Sequence, residues 1–514
     1  MASNPVREAI LGGHFCHIVE LVASRSMREA RLFQSASDLA NIPEVTAASV
    51  TSYAGGAMGH EPIRVGTAVR ARGLTPNIHI TCVNHDRLAL YNQLQDLAAI
   101  GIENVFAISG DYPKAEGSPP PVFDLDSVQL VEMISEIRQQ AGVPFFISVA
   151  VSPFKYIEAD CAYQYIKLEK KIAAGADYAI TQLGFDARKF RELKRYLDER
   201  GLKTPVLGNV YVLPLRAAEK MSKGEPPGCW VAPELVEKIR EETKAADKGV
   251  AARLERGARM VAILRGLGYA GAYFGGEGKA ENIRWMIKRG EELAPRWEEL
   301  ADEMNYAPKN AFYMYDAPAP PAKPLPAFSR FLDTMAKLFP VKRQETGLRK
   351  FIASILGWVD RRPVAAAALE KMELAFKAPV FGCKACGNCV LGEMEYVCPM
   401  TCPKGMRNGP CGGTLTGKCE VVDQPCIWVS VYDRAKSADR LADLKLYIPP
   451  PNRALKGTSS FINLFLKRDV RPGSKEPLVH IDGATFPKAS AVEASGEPAA
   501  AESNAEGRKR TAVK

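Results

Sequence analysis

Eight of the twelve cysteines lie close together in the chain, at spacings that suit metal binding. Two thiolates separated by two residues can point both sulfurs at one ion, and three at such spacing followed by Cys-Pro can also hold a [4Fe–4S] cluster. In a reducing compartment this pattern indicates metal rather than disulfides. The sequence therefore predicts zinc, an iron–sulfur cluster, or one of each in two four-ligand sites. The predicted ligands are Cys383, Cys386, Cys389, Cys398, Cys402, Cys411, Cys419 and Cys426.

Two carboxylates follow short apolar runs, at places that suit acid–base chemistry. Glu20 comes directly after Phe-Cys-His-Ile-Val. Apolar walls raise the pKa of a carboxyl group into the range of a general acid, although a solvated loop glutamate is an equally simple interpretation. Asp111 follows Gly110 at the end of another run. It could set the charge beside a bound cofactor ring, or it could cap a turn.

Neutral and basic groups accompany other apolar runs. Thr51 ends a run before Ser-Tyr-Ala-Gly-Gly, where small residues let a flat ligand approach the backbone. His79 lies inside a run, where a histidine is most often a core residue. The Gln182 amide can donate to a heterocycle and accept from it at the same time. Lys171 lies on a predicted helix, where a surface lysine is the ordinary interpretation.

The runs alternate with amphipathic stretches through the first part of the chain. Each run is short and rich in Val, Ile, Phe or Ala, as a buried parallel strand is. The pattern predicts an α/β fold, a closed (β/α)8 TIM barrel with catalytic groups at the carboxyl ends of the strands. An open doubly wound sheet is the alternative, but no Gly-x-Gly-x-x-Gly follows a strand. The predicted strands are 15–21, 44–50, 76–82, 104–109, 145–151, 178–182, 205–212 and 271–274. The predicted helices between them include 86–100, 127–141, 162–174, 188–200 and 233–267.

In their order along the chain, these residues resemble the barrel of methylenetetrahydrofolate reductases. The resemblance covers roughly residues 10–300. Its landmarks are His79-Ile-Thr-Cys82, Gly110-Asp111 and Ala179-Ile-Thr-Gln182 with Phe185-Asp186, together with Glu20, Thr51 and Lys171. The resemblance implies an oxidoreductase acting on a CH–NH group. Such an enzyme binds FAD at the strand ends and reduces 5,10-methylenetetrahydrofolate to 5-methyltetrahydrofolate, or catalyses the reverse reaction.

The resemblance also implies a role for each residue. Glu20 matches the glutamate that acts as general acid in opening the folate ring, and Asp111 matches the aspartate beside the flavin pyrimidine. Gln182 matches the glutamine that contacts folate. The positions that match flavin-binding residues are Thr51, His79, Gly110 and Lys171. A nearby carboxylate and a dry, stacked geometry both suit hydride transfer from flavin N5 to an electrophilic carbon.

Four places depart from the family pattern. Ser109 stands where an arginine usually meets the flavin diphosphate, and residues 152–156 (Ser-Pro-Phe-Lys-Tyr) replace Tyr-Pro-Glu-x-His. Leu183 replaces a common aromatic residue, and residues 274–277 (Phe-Gly-Gly-Glu) replace Tyr-Thr-Leu-Asn. These departures leave FMN as an alternative to FAD. They also leave a protein electron donor as an alternative to NAD(P)H.

The cysteine-rich part resembles the zinc- or cluster-binding C-terminal domain that is fused to, or partnered with, some methylenetetrahydrofolate reductases. The resemblance is strongest in residues 398–413 and implies that this part passes electrons or holds a complex together. The alternative is a lid or docking surface that zinc holds together and that carries out no redox chemistry. The whole chain could then be a flavin-poor adaptor or electron-transfer subunit of a one-carbon pathway complex. A barrel methyltransferase acting on a methylated folate or corrinoid is a third hypothesis, against which Glu20, Asp111 and Gln182 argue.

Bulk composition limits the remaining classes of function. The 514 residues suffice for two or three domains, and 46% apolar with 25% charged residues is ordinary for a soluble protein. The net charge of +9 is mild, and no basic stripe carries interleaved aromatics, so nucleic acid is not an expected partner. Neither a signal peptide nor an apolar run of membrane length is found. We therefore expect a cytoplasmic protein with no membrane partner, and we also expect a homo-oligomer.

The composition also divides the chain into four predicted parts. Residues 1–305 form the barrel, and residues 306–375 form a proline-rich linker followed by helices. Residues 376–485 form the small cysteine-rich metal-binding domain. Ala, Ser, Glu and Gly dominate residues 486–514, which are predicted to be a disordered tail.

Overall fold

Eight parallel strands close into a barrel in the computed structural model of the chain. Each strand pairs with the next, and the last pairs with the first, so the predicted TIM barrel is confirmed. The strands are β1 (Cys16–Leu21), β2 (Ala47–Val50), β3 (Thr75–Thr81), β4 (Asn104–Ile108), β5 (Phe146–Val151), β6 (Tyr178–Thr181), β7 (Val206–Tyr211) and β8 (Gly271–Gly275). The structure describes residues 3–24, 27–54, 59–113, 117–316, 318, 320–338, 347–469, 472–473 and 478, so the predicted tail lies outside the described residues.

The two-residue period of the strands decides which side chains reach the site. Cys16 and Ile18 belong to the core inside the barrel, whereas Val19 and Leu21 pack in the outer core against the helices. Because successive side chains alternate, Glu20 falls on the inner side, at the carboxyl end of β1. Tyr273 of β8 belongs to the same inner core.

Twelve helices accompany the strands in the described residues of the barrel. They are α1 (Pro5–Leu11), α2 (Glu29–Ala40), α3 (Pro62–Arg70), α4 (Arg87–Ala99), α5 (Ser127–Ala141), α6 (Glu158–Ala174), α7 (Ala187–Glu199), α8 (Leu215–Met221), α9 (Pro233–Glu242), α10 (Val250–Gly266), α11 (Ala280–Leu293) and α12 (Trp297–Glu303). The prediction of one continuous helix over 233–267 is wrong. The helix ends at Glu242, and the chain turns through Lys248 (φ 54°) and Gly249 (φ 75°) before α10 begins. Both residues have left-handed backbones, which a helix interior excludes.

The C-terminal part adds five helices and long cysteine-bearing loops. The helices are α13 (Ala327–Leu338), α14 (Gly347–Asp360), α15 (Pro363–Phe381), α16 (Ile427–Ser437) and α17 (Ser460–Phe465). None of the helices that the structure describes is long and apolar enough to cross a bilayer. We call residues 382–454 the cysteine module. It packs against α5 and α6, which are therefore buried on faces that are usually open to water in a TIM barrel.

Candidate active site at the barrel mouth

The carboxyl ends of the strands surround one cavity of about 260 Å³. All seven barrel residues predicted to bind or react line it, namely Glu20, Thr51, His79, Gly110, Asp111, Lys171 and Gln182. They come from six different strands or the segments beside them. The closed barrel brings these distant positions to one mouth, which is where TIM barrels carry their sites.

Glu20 is joined to a chain of hydrogen bonds inside the barrel. The Tyr273 hydroxyl donates to Glu20 Oε1 at 3.2 Å and also lies 3.4 Å from His79 Nε2. His79 Nε2 is 2.9 Å from the Ser49 hydroxyl oxygen, which accepts a bond from Asn77 Nδ2 at 3.1 Å. The Glu20 carboxyl group is thus held at the mouth by polar groups beneath it.

Burial shifts the pKa values of two of these groups in opposite directions. Loss of solvation raises the pKa of Glu20 to about 7, although the bond from Tyr273 partly opposes this rise. Loss of solvation lowers the pKa of His79 to about 3, so the imidazole is neutral at pH 7. A carboxyl group that titrates near neutrality can both hold and release a proton at physiological pH.

Replacing Tyr273 with phenylalanine is expected to raise the pKa of Glu20 further. The lost hydroxyl stabilises the carboxylate form, so its removal favours the protonated form by about 1 kcal/mol, or roughly 0.5–1 pH unit. The alkaline limb of the pH–rate profile for folate turnover should move to higher pH by that amount. Tyr178→Phe, in the same inner core, is the control. An unmoved limb in Tyr273→Phe would show that Tyr273 does not act on Glu20.

Two buried lysines place positive charge at the cavity. Lys171 Nζ donates to the Ala150 carbonyl at 2.6 Å, and burial lowers the pKa of this lysine to about 7. The interpretation of Lys171 as a surface lysine is therefore wrong. Lys167 Nζ donates to the carbonyls of Gly409 at 3.3 Å and Pro410 at 3.0 Å. Among the described residues neither lysine lies within ion-pair distance of a carboxylate, although the charge of Asp126 acts on both. An anionic ligand in the cavity would favour their protonated forms.

Other groups at the cavity are also arranged for a ligand. Ser152 Oγ and Asn209 Oδ1 are buried, line the cavity and have no hydrogen-bond partner among the described residues. Gly110 has a φ of +84°, and a Cβ at this position would lie 2.6 Å from Val83 Cγ1. Only glycine fits there, so the backbone beside Asp111 stays open to the cavity.

The cysteine module forms part of the same cavity, which the sequence did not predict. The module residues that line it are Lys404, Pro410, Cys411, Gly412, Gly413 and Glu420. Barrel side chains bind the backbone of this loop. Lys155 Nζ donates to the carbonyls of Gly412, at 2.7 Å, and Thr414, while Gln164 Nε2 donates to the Cys411 carbonyl at 2.8 Å. With the two bonds from Lys167, five carbonyls between residues 409 and 414 are bound, and we call this contact the carbonyl cradle.

Asp126 anchors the module at a second point. Its Oδ2 accepts bonds from the backbone N–H groups of Arg407 at 3.1 Å and Asn408 at 3.0 Å, and from Asn408 Nδ2 at 3.1 Å. Its Oδ1 caps α5 by accepting from Val128 N at 2.9 Å. The carboxylate is 1% exposed. Burial alone would raise the pKa of Asp126, but Lys167 and these hydrogen bonds hold it below its usual value.

The eight clustered cysteines fall into two groups in space. Cys383, Cys386, Cys389 and Cys398 line one cavity beside α15, together with the cationic side chains of Lys377 and Arg407. Cys402, Cys411 and Cys426 are near enough to influence one another electrostatically, Cys419 acts on Cys402, and Cys411 lies at the barrel mouth. Burial raises the pKa of Cys398 to about 11 and that of Cys411 to about 12. Within the described residues, no three His, Cys, Asp or Glu side chains are already close enough to hold one metal ion.

Several residues of the site carry no distinctive sequence signal. Tyr273 lies in an apolar run, where a tyrosine is expected to be a core residue. Lys404 and Glu420 lie in the cysteine-rich loops, outside the barrel. Lys155 belongs to the segment 152–156 that departs from the family pattern, and that departure was the one available signal. It also contains Ser152, so this segment contacts both the cavity and the module.

These features define a class: a TIM-barrel protein whose ligand site lies at the strand ends and is completed by an appended cysteine-rich domain. A family model described as methylenetetrahydrofolate reductase matches residues 7–264, and one described as methylene-tetrahydrofolate reductase C terminal matches residues 364–454. The chain belongs to the methylenetetrahydrofolate reductase family.

Curated relatives carry the same name over part of the barrel. The 5,10-methylenetetrahydrofolate reductase of Pectobacterium carotovorum is 30% identical over 160 residues, which are 31% of this chain and 50% of the relative. The enzyme of that name from Salmonella typhimurium is 29% identical over 139 residues, covering 27% and 44%. The chain thus spans half or less of the length of these relatives. A solved Clostridium thermocellum protein, described as binding two copies of 5-methyl-5,6,7,8-tetrahydrofolic acid, matches 57% of this chain and 99% of that chain, with 10% identity and a TM-score of 0.41.

Proposed function

We propose that this chain is a flavin-dependent methylenetetrahydrofolate reductase in which Glu20 is the general acid. One observation carries the proposal: a carboxyl group whose pKa is raised to about 7 lines a single cavity with the six other residues that match flavin and folate positions. The substrate would be 5,10-methylenetetrahydrofolate and the product 5-methyltetrahydrofolate, or the reverse.

The cavity suits a flavin on several independent grounds. The ammonium groups of Lys167 and Lys171 donate only to backbone carbonyls, so an anionic phosphate or reduced flavin ring would favour their protonated forms. Ser152 Oγ and Asn209 Oδ1 are unsatisfied in the described residues and can bond to a polar ligand. Thr51 and His79 would complete the site around FAD, with FMN as the smaller alternative. Bound reduced flavin would supply a hydride to the methylene carbon of folate.

Side chains of the protein would supply the proton and stabilise the charges of the reaction. Glu20 would give its proton to the folate nitrogen that leaves the methylene carbon, opening the five-membered ring to a cationic iminium. The Tyr273 hydroxyl holds the Glu20 carboxyl group in place. Asp111 would favour the cationic iminium by its negative charge. Gln182 Oε1 accepts from Leu183 N at 2.8 Å, which leaves its amide hydrogens to bind the folate ring.

We further propose that each four-cysteine group binds zinc or an iron–sulfur cluster. The first group suits an anionic cluster because Lys377 Nζ lies 3.7 Å from Cys389 Sγ and because the Arg407 side chain lines the same cavity as the four cysteines. The second group includes Cys411, which lines the cavity proposed to bind the flavin. This placement favours transfer of electrons from a protein donor through the module, with NAD(P)H as the alternative donor. We also propose that the protein is a cytoplasmic homo-oligomer, which light scattering of the purified chain would test.

An absorption spectrum of the anaerobically purified chain, with metal analysis of the same sample, tests these proposals. We expect a flavin band that bleaches when methyltetrahydrofolate is added. Broad absorbance from iron–sulfur clusters would support electron transfer through the module. A colourless protein containing only zinc would contradict the flavin proposal and would make the module structural.

Loss of the second cysteine group is expected to release the flavin. Cys411→Ser removes a ligand in the loop whose carbonyls form the cavity wall, so the wall should loosen when the metal leaves. The release is measured as the flavin fluorescence of the small-molecule fractions after gel filtration of the protein. Cys383→Ser is the matched control, because Cys383 lies in the other group and lines a different cavity. Equal retention of flavin in both variants would contradict the prediction.

A further inference from the structure

Lys404 belongs to the cysteine module but ends inside the barrel mouth. Its Nζ donates to the Gly110 carbonyl at 3.1 Å, across a sequence separation of 294 residues. The side chain is only 3% exposed and lines the same cavity as Asp111. The Gly110–Asp111 turn is therefore bound by a cation from a separate part of the chain.

The module also supplies the counter-charge of this lysine. Lys404 Nζ forms an ion pair with Glu420, whose side chain is 2% exposed and lines the same cavity. Glycine at residue 413 leaves room for the carboxylate in this position, since a Cβ there would overlap Glu420 Oε2. Neither charge reaches the bulk solvent.

A buried ion pair of this kind needs a reason beyond stability. Removing two charges from water costs several kcal/mol per ion, and well-packed apolar residues often serve stability equally well. Pairs that persist beside a cavity are candidates for a functional role. Here the cation contacts the turn that carries Asp111, the residue matched to the flavin pyrimidine.

We propose that Lys404 is a positioning residue of the flavin site, which fixes the Gly110–Asp111 turn and adds positive charge beside the flavin ring. This inference rests on the proposed function. Through the contact with Gly110, the module would set how tightly the barrel binds flavin and how readily that flavin is reduced. Glu420 would hold the ammonium group in place against the turn.

The test compares flavin affinity and flavin midpoint potential in the full-length protein and its variants. Because a charge-assisted hydrogen bond is lost, Lys404→Met should weaken flavin binding about tenfold. It should also move the midpoint potential to more negative values, since a nearby cation stabilises the reduced, more anionic flavin. Lys404→Arg keeps the charge and should keep most of both properties. Lys456→Met, which removes an exposed lysine of the adjoining segment, should change neither.

A second variant guards against simple misfolding. Lys404→Met combined with Glu420→Gln leaves no unpaired buried charge, so the double variant should unfold near the wild-type temperature. It should still bind flavin more weakly, because the bond to Gly110 is lost, while its midpoint potential should shift less than that of Lys404→Met because a negative charge is removed as well. A purely structural lysine would alter module docking but not the potential of the flavin that remains bound. Wild-type flavin affinity in the folded double variant, or a wild-type potential in Lys404→Met, would overturn the role of Lys404. Absence of flavin from the wild-type protein would instead overturn the proposed function itself.

Discussion

Glu20→Gln is expected to lower folate turnover by about 10²–10⁴-fold, the usual effect of removing a general acid. Glutamine has nearly the same shape but cannot give up a proton, so the folate ring would not open. Reduction of the flavin by the electron donor does not need this proton and should persist. Stopped-flow measurement of the two half-reactions would separate these outcomes. Full folate turnover in the variant would show that another group is the acid.

A matched control is available at the end of β8. Glu277 follows that strand but does not line the cavity, and it accepts bonds from Gly278 N and Lys279 N, both at 2.9 Å. Glu277→Gln therefore replaces a strand-end carboxylate without touching the proposed chemistry. Both half-reactions should continue in this variant. Equal losses in the two variants would indicate general damage to the mouth rather than loss of an acid.

The same Glu20 variant should be more stable than the wild type at alkaline pH. Burial raises the pKa of Glu20 from 4.5 to about 7, so the folded state binds the proton more tightly than the unfolded state. The stability from this group is fully present below pH 4.5 and is lost as the pH rises through 7. At pH 8, Glu20→Gln should be more stable by up to about 3 kcal/mol, and near pH 4 the difference should vanish. Unfolding at the two pH values measures this.

Asp126→Asn is expected to detach the module locally from the barrel. Asparagine keeps only one acceptor oxygen. The buried N–H groups of Arg407 and Asn408 therefore face either an amide nitrogen or an uncharged, weaker acceptor. Removing one partner from such a buried, charged cluster costs about 3–5 kcal/mol. Amide hydrogen exchange at residues 407 and 408 should accelerate by about 10²-fold or more, since 1.4 kcal/mol corresponds to a factor of ten.

The control for this change is a carboxylate that caps a helix without touching the module. Asp86 caps α4 by accepting from Ala89 N at 2.8 Å. Asp86→Asn should leave exchange in the module unchanged. Wild-type exchange at residues 407 and 408 in Asp126→Asn would mean that the carbonyl cradle alone holds the module in place.

The barrel was predictable because its signal is local. Short apolar runs separated by amphipathic stretches mark parallel strands, and each of the eight predicted strands overlaps an observed one. The strand ends then placed Glu20, Asp111 and Gln182 at one mouth, because a closed barrel brings all carboxyl ends together. The break at Lys248 and Gly249 was missed because an amphipathic pattern can continue across a short turn between two helices.

The contacts between module and barrel could not be predicted in the same way. Lys155, Lys167 and Lys404 look like surface residues in the sequence, since lysine is almost never fully buried without a partner. Their partners are backbone carbonyls or a carboxylate at least 16 residues away in the chain. No local pattern reports such a contact. Tyr273 was missed for a different reason. A tyrosine in an apolar run is expected to be a buried core residue and not a residue of the site.

The carbonyl cradle affects how much the amino-acid sequence can vary on each side of the contact between module and barrel. Lys155, Gln164 and Lys167 hold the loop 409–414 by its carbonyl oxygens, which every amino acid possesses. The carbonyl contacts themselves therefore place no demand on the loop's side chains, and apart from Cys411 and Gly413, which have other roles, these can vary more freely than the three barrel residues. Related chains should show variable loops facing constant donors. A barrel with these donors should also bind the cysteine module of a distant relative. The contact between module and barrel is therefore a suitable boundary for building chimaeric proteins.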